Sequence, residues 1–101
     1  MPDSKKNLNS VEKKFVIKNK LGLHARPAAL FVQTANKFNA DIEVRKGREN
    51  VNGKSIMGIM TLAAGLGTAI TVKATGADAQ EAIDALNKLF EENFGEEDSK
   101  K

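Results

Sequence analysis

Between residues 11 and 94 the spacing of hydrophobic positions changes period several times. In VEKKFVIK, Val11, Phe15 and Ile17 recur at even intervals, which predicts a strand with one buried face. From Ala28 the apolar residues Ala28, Phe31, Val32 and Ala35 follow helical spacing, and the helix is expected to run to about Lys37. DIEVRK alternates again, with Ile42 and Val44 inward. A turn at Lys46-Gly47 then leads to a short strand around residues 49–52, so this stretch reads as a hairpin. SIMGIMTL predicts a short helix with Ser55 as its N-cap, and the glycines of AAGLGT predict a loop. TAITVKAT alternates through Ile70, Val72 and Ala74. Asp78 and Glu81 have the spacing of a capping box, and Ala79, Ala82, Ile83, Leu86 and Phe90 trace a long amphipathic helix. Gly95 suits its C-terminal cap.

The resulting order is βαββαβα. Alternation on a single face argues for one antiparallel sheet, covered by helices on one side and by water on the other. The expected fold is thus an α+β open-faced sandwich, with four antiparallel strands and three helices on one face. Residues 1–10 read as a polar tail, 11–95 as one domain and 96–101 as a charged tail.

Composition removes several function classes. The chain has 101 residues, no cysteine and one histidine, so neither a disulfide framework nor a zinc site is expected, and no metal or cofactor is called for. The longest apolar run, IMTLAAGLGTAI, is short and broken by glycine, and MPDSKKNLNSVEKK has no apolar stretch to serve as a signal. A soluble, cytoplasmic protein is expected, with no membrane insertion. Residues 1–54 hold twelve Lys/Arg against five Asp/Glu, a balance of +7; residues 55–101 hold four against eight, a balance of −4. An anionic group or an acidic partner should be drawn to the first half. Nucleic acid is not expected: there is no Trp or Tyr, and no block of Lys/Arg exceeds two residues.

GRENVNGKS nearly spells a phosphate-binding loop, but five residues rather than four separate Gly47 from Gly53. Its context also fails, because it follows an amphipathic strand and opens a glycine-broken turn.

His24 is the more informative residue. It stands in KLGLHARPAALF, two places before Arg26 and three before Pro27. Proline fits only the first turn of a helix, so His24 falls at the helix entrance and Arg26 within that turn. A helix N-terminus has unpaired amides and a partial positive charge, which suits an anion. An imidazole with an ordinary pKa of about 6.5 is mostly neutral at pH 7 and nucleophilic without a separate base. One arginine and a helix end can hold a phosphoryl group and still release it, which suits a carrier better than an enzyme. A hydrolase triad is not supported, since nothing supplies a serine with an oxyanion hole.

GLHARPAALFV, followed about thirty positions later by NGKSIMGIMTLAAGLGT, resembles the HPr family, the phosphocarriers of the bacterial phosphoenolpyruvate:sugar phosphotransferase system. The resemblance covers about residues 12–94. It implies that His24 is phosphorylated on Nδ1 by phosphorylated enzyme I and passes the group to an enzyme IIA domain, with Arg26 and the first-turn amides steadying it. It implies further that Ser55 matches a regulatory serine modified by an HPr kinase/phosphorylase, which brings in a transcriptional regulator as a possible partner. Ala25, Ile56, Met57 and Met60 would form the docking surface beside His24; Ile56, Met57, Ile59 and Met60 are four apolar residues in a helix of barely two turns, more than one face can bury. A regulatory module of a nitrogen-type or catabolite-control branch, with little sugar flux, is the alternative. KSIMGIM looks more like the serine-regulated carriers, and the presence of His24 argues against regulatory paralogues that lack it. A monomer is expected.

Overall fold

The computed structural model describes residues 9–96 of the chain. Strand β1 (Ser10–Val16) is followed by α1 (Ala25–Ala35), β2 (Asp41–Lys46), β3 (Glu49–Asn52), α2 (Ile56–Thr61), β4 (Ala69–Thr75) and α3 (Ala79–Glu91). A 3-10 turn, Asn93–Gly95, closes the described chain. The strands form one antiparallel sheet in the order β1-β4-β2-β3, so the fold is the open-faced α+β sandwich expected from the alternation.

Register explains why one face is dry. Phe15 pairs with Ile70, Ile42 with Ala74 and Val44 with Val72, so all six side chains leave the sheet on the same side. Helices α1 and α3 cover that side through Phe31, Val32, Ile83 and Leu86, all buried. Phe90 of α3 stacks on Phe15 with ring centroids 4.2 Å apart, and meets Phe31 edge-on at 6.3 Å. Aromatic pairs of this kind contribute about 0.5–1.5 kcal/mol beyond their buried area. On the wet face Arg45 bonds Glu12 at 3.2 Å across β4.

Four boundaries differ from the sequence reading. Helix α1 stops at Ala35, two residues early, and β1 already includes Ser10. Asp78 does not close a capping box: its carboxylate accepts the amides of Asn39 and Ala40, each at 2.8 Å, and so ties the entrance of α3 to the chain ahead of β2. Gly95 is not the cap of α3 either. The left-handed residue after the helix is Asn93 (φ 57°), which lies two positions earlier, and Gly95 closes the 3-10 turn instead.

The Asp78 carboxyl is held below its ordinary value of 3.8, first by the Asn39 amide, against partial desolvation, with the Ala40 amide and the Lys54 charge adding to the lowering. A carboxyl lowered in the folded state contributes stability that is complete above its unfolded value and is lost as pH falls through the folded one. Asp78→Ala is therefore expected to lower stability at pH 7 and to flatten the loss of stability below about pH 4. Urea unfolding from pH 7 to pH 2.5 checks this; an unchanged acid slope would contradict it.

Candidate functional site

Residues 17–24 carry the chain from the end of β1 to α1. Ile17 and Leu23 are buried anchors at the two ends of this loop. Between them Gly22 adopts φ +72°, and a Cβ there would lie 2.5 Å from the Ala64 carbonyl oxygen and 2.7 Å from Gly65 Cα. That approach lets the Leu23 amide donate to the Ala64 carbonyl at 2.9 Å, joining the loop to the segment after α2. Asn19 is fully buried and its Nδ2 donates to the Gly22 carbonyl at 2.7 Å. The loop's shape is thus set by a glycine, two apolar anchors and one buried amide.

His24 is the N-cap of α1, with extended backbone and no capping bond from its side chain. Its ring is about one-third exposed, and Nε2 lies 3.0 Å from Oε2 of Glu96. The other carboxylate oxygen, Oε1, accepts from Asn19 Nδ2 at 3.0 Å. A carboxylate can only accept, so Nε2 carries the hydrogen and, on the neutral ring, Nδ1 keeps its lone pair. Ala25 and Arg26 are exposed in the first turn, where no acidic residue competes for their amides. Pro27 has no N–H, and the Ala28 amide is already bonded to the His24 carbonyl at 2.9 Å. The amides of Ala25 and Arg26 have no acceptor among the described residues, and the Arg26 guanidinium has no hydrogen bond or ion pair there.

Ser55 is the N-cap of α2, as its position suggested, and its Oγ accepts the Gly58 amide at 3.0 Å. Within α2 only Ile59 is buried; Ile56, Met57 and Met60 are 42%, 71% and 39% exposed. Met60 shares a shallow groove with His24, lined also by Leu21, Leu23, Ala63 and Gly65. The structure therefore brings together His24, Ala25, Arg26 and Met60. Ser55 belongs to the start of α2, and no hydrogen bond links it to His24. A larger depression lies on the open sheet face, lined among others by Asp41, Glu43, Lys54 and Lys73, and does not include His24.

Sequence reading missed Asn19, Glu96 and the exposed Leu21. Glu96 is 72 positions from His24, in what reads as a loose tail, so no local pattern marks it. It arrives through two consecutive left-handed residues, Asn93 (φ 57°) and Phe94 (φ 54°), anchored by the buried Phe94 ring 4.9 Å from Phe90. The basic first half is also less free than its charge suggests. Lys46 Nζ donates to the Leu62 carbonyl at 2.6 Å and Lys54 Nζ to the Phe38 carbonyl at 2.8 Å.

Comparison with known proteins matches residues 11–92 to the family model of the PTS HPr component phosphorylation site. An HPr-like protein Crh from Halalkalibacterium halodurans is 53% identical over 81 residues, which are 80% of this chain and 96% of the relative. A phosphocarrier protein HPr from Xylella fastidiosa is 50% identical over 88 residues, covering 86% of this chain and 98% of the relative. The crystal structure of HPr-C-His from Thermoanaerobacter tengcongensis has a TM-score of 0.83 at 56% identity, over 86% of this chain and 98% of that one; a dimer of HPr from the same organism has also been solved.

The close contact at Gly22 gives a direct check of the loop. Gly22→Ala is expected to cost about 2 kcal/mol or more, from the left-handed φ and the clash together, measured by urea unfolding. A change below about 0.5 kcal/mol would show that the loop does not depend on this approach.

Proposed function

The chain belongs to the HPr family, whose members are phosphoryl carriers rather than enzymes, and from that premise we propose that it carries its phosphoryl group on Nδ1 of His24. The observation that supports this most is the ring itself: Nε2 is engaged by Glu96, while Nδ1, at the head of a helix, has no partner among the described residues. The lone pair of Nδ1 attacks phosphorus in phosphorylated enzyme I. The donor–phosphorus bond breaks with its electron pair returning to the donor, and Nε2 keeps its hydrogen. The reverse step, onto an enzyme IIA domain, returns the N–P electron pair to Nδ1.

Arg26 and the amides of Ala25 and Arg26 steady the group. Each charge-assisted hydrogen bond contributes about 1.5–3 kcal/mol, and an exposed guanidinium less. A few such bonds hold a phosphoryl group without trapping it, which a carrier requires. Ala25, Ile56, Met57 and Met60 are the docking surface in this reading; methionine adapts to more than one partner. Enzyme I and IIA domains are those partners, with the protein acting as a monomer in the cytoplasm and in sugar uptake. No nucleic acid or cofactor takes part.

A second reading is favoured by the likeness to an HPr-like Crh. In it, phosphorylation of Ser55 by an HPr kinase/phosphorylase controls binding to a transcriptional regulator. Ser55 is half-buried and its Oγ accepts a hydrogen bond, so its own O–H hydrogen is not needed for the cap. The two readings are compatible in one chain.

Intact mass and phosphorus NMR with enzyme I, phosphoenolpyruvate and Mg²⁺ test the first reading. One acid-labile phosphate is expected on the wild type and none on His24→Ala; an unphosphorylated wild type would contradict it. Arg26→Ala is expected to slow transfer by about tenfold, the equivalent of about 1.4 kcal/mol, with the unfolding free energy unchanged within about 0.5 kcal/mol. Unaltered rates would remove Arg26 from the site. Ser55→Asp is expected to weaken binding to enzyme I several-fold, by about 1 kcal/mol for a charge set against an electrostatically matched partner. Calorimetry measures this, and unchanged affinity would place Ser55 outside that interface.

A further inference from the structure

We propose that Glu96, held by Asn19, is a positioning residue for phosphoryl transfer at His24: it fixes the hydrogen on Nε2 and balances the charge that the ring acquires when phosphorus bonds to Nδ1. The proposal rests on the carrier reading above and deepens it.

Three observations carry the inference. The carboxylate bridges two partners, His24 Nε2 through Oε2 and Asn19 Nδ2 through Oε1, each at 3.0 Å, and its side chain is 17% exposed. Asn19 is itself buried, and its orientation is forced: turning the amide round would set its oxygen against two acceptors, the Gly22 carbonyl and Glu96 Oε1. The chain also takes an unusual path to bring Glu96 back. Asn93 and Phe94 are both left-handed, which non-glycine residues seldom are, and the Phe94 ring is packed against Phe90 to hold the turn. A solvated tail needs none of these features.

The chemistry gives the bridge a purpose. The neutral ring reacts through the lone pair of Nδ1 while Nε2 retains its hydrogen, so the phosphorylated ring bears a positive charge. A carboxylate facing that N–H interacts more strongly with the charged ring than with the neutral one. Glu96 therefore favours the transition state and the phosphorylated product over the resting state. A carboxylate behind an imidazole plays the same part in hydrolase triads, where it sets the tautomer and stabilises the imidazolium. Here the imidazole is itself the nucleophile.

The test uses the full chain, labelled with nitrogen-15, as wild type, Glu96→Ala and Glu96→Gln. Long-range proton–nitrogen correlation of the single histidine reads its tautomer without any donor, about two pH units above the ordinary histidine value. In the wild type Nε2 should appear protonated and Nδ1 bare; in Glu96→Ala both nitrogens should move toward a tautomer average. The phosphorylated fraction is then measured with enzyme I at a fixed phosphoenolpyruvate-to-pyruvate ratio. The equilibrium constant for phosphorylation should fall about fivefold in Glu96→Ala, as for a charge-assisted bond at a partly exposed site. Glu96→Gln, which keeps the size and one acceptor oxygen, should fall in between, and unfolding curves establish that both variants are folded. Unmoved ring nitrogens in Glu96→Ala would overturn the contact. Moved nitrogens with unchanged equilibrium and rate would overturn its part in transfer. A wild type that takes no phosphate would overturn the carrier reading and the transfer role with it, and is told apart because the ring signals require no donor.

Discussion

The position of His24 hangs on the backbone bond from the Leu23 amide to the Ala64 carbonyl. It joins the loop before α1 to the segment after α2, two stretches about forty residues apart in the chain. Gly22 makes it possible, since any Cβ there would collide with the same carbonyl. Once the bond is in place, Leu23 is buried, α1 begins at Ala25 and the imidazole stands at the helix N-terminus, beside Met60. The sheet and its phenylalanine cluster provide the rigid support beneath. A site built in this way is set by backbone geometry.

Phosphoryl carriage needs an intermediate affinity rather than a strong one. Around His24 the structure places a partial helix charge, two first-turn amides without an acceptor among the described residues, and the exposed Arg26 side chain. Burying the ring under several fixed cations would hold the anion and slow its departure. The His24 ring is instead about one-third exposed, which under the proposed reading leaves it open to donor and acceptor in turn. The exposed Met60 shares a groove with His24, and Ile56 and Met57 are exposed on the same short helix.

Most of the fold is legible in the sequence because each strand has one wet face. Phe15, the Ile42/Val44 pair and the run Ile70, Val72, Ala74 alternate cleanly, and the structure buries all of them together. The start of α1 is equally legible, since Pro27 fits only a first turn. Side chains that bond at a distance are not. Asp78 has the spacing of a cap but is drawn to amides 38 and 39 positions away. Asn93 takes the left-handed position that Gly95 was expected to fill. At the site, His24, Arg26 and the exposure of α2 follow from local pattern, whereas Asn19 and Glu96 depend on how the last turn folds back, which no local period encodes.

The central claim concerns which ring nitrogen bears the phosphorus. The most direct measurement is the phosphorus–nitrogen coupling in the phosphorylated, nitrogen-15-labelled protein, where a single histidine leaves no ambiguity of residue. A one-bond coupling to Nδ1, with Nε2 still carrying its hydrogen, is the predicted result. Coupling to Nε2 would mean that the nitrogen facing Glu96 is the reactive one, and would contradict the account.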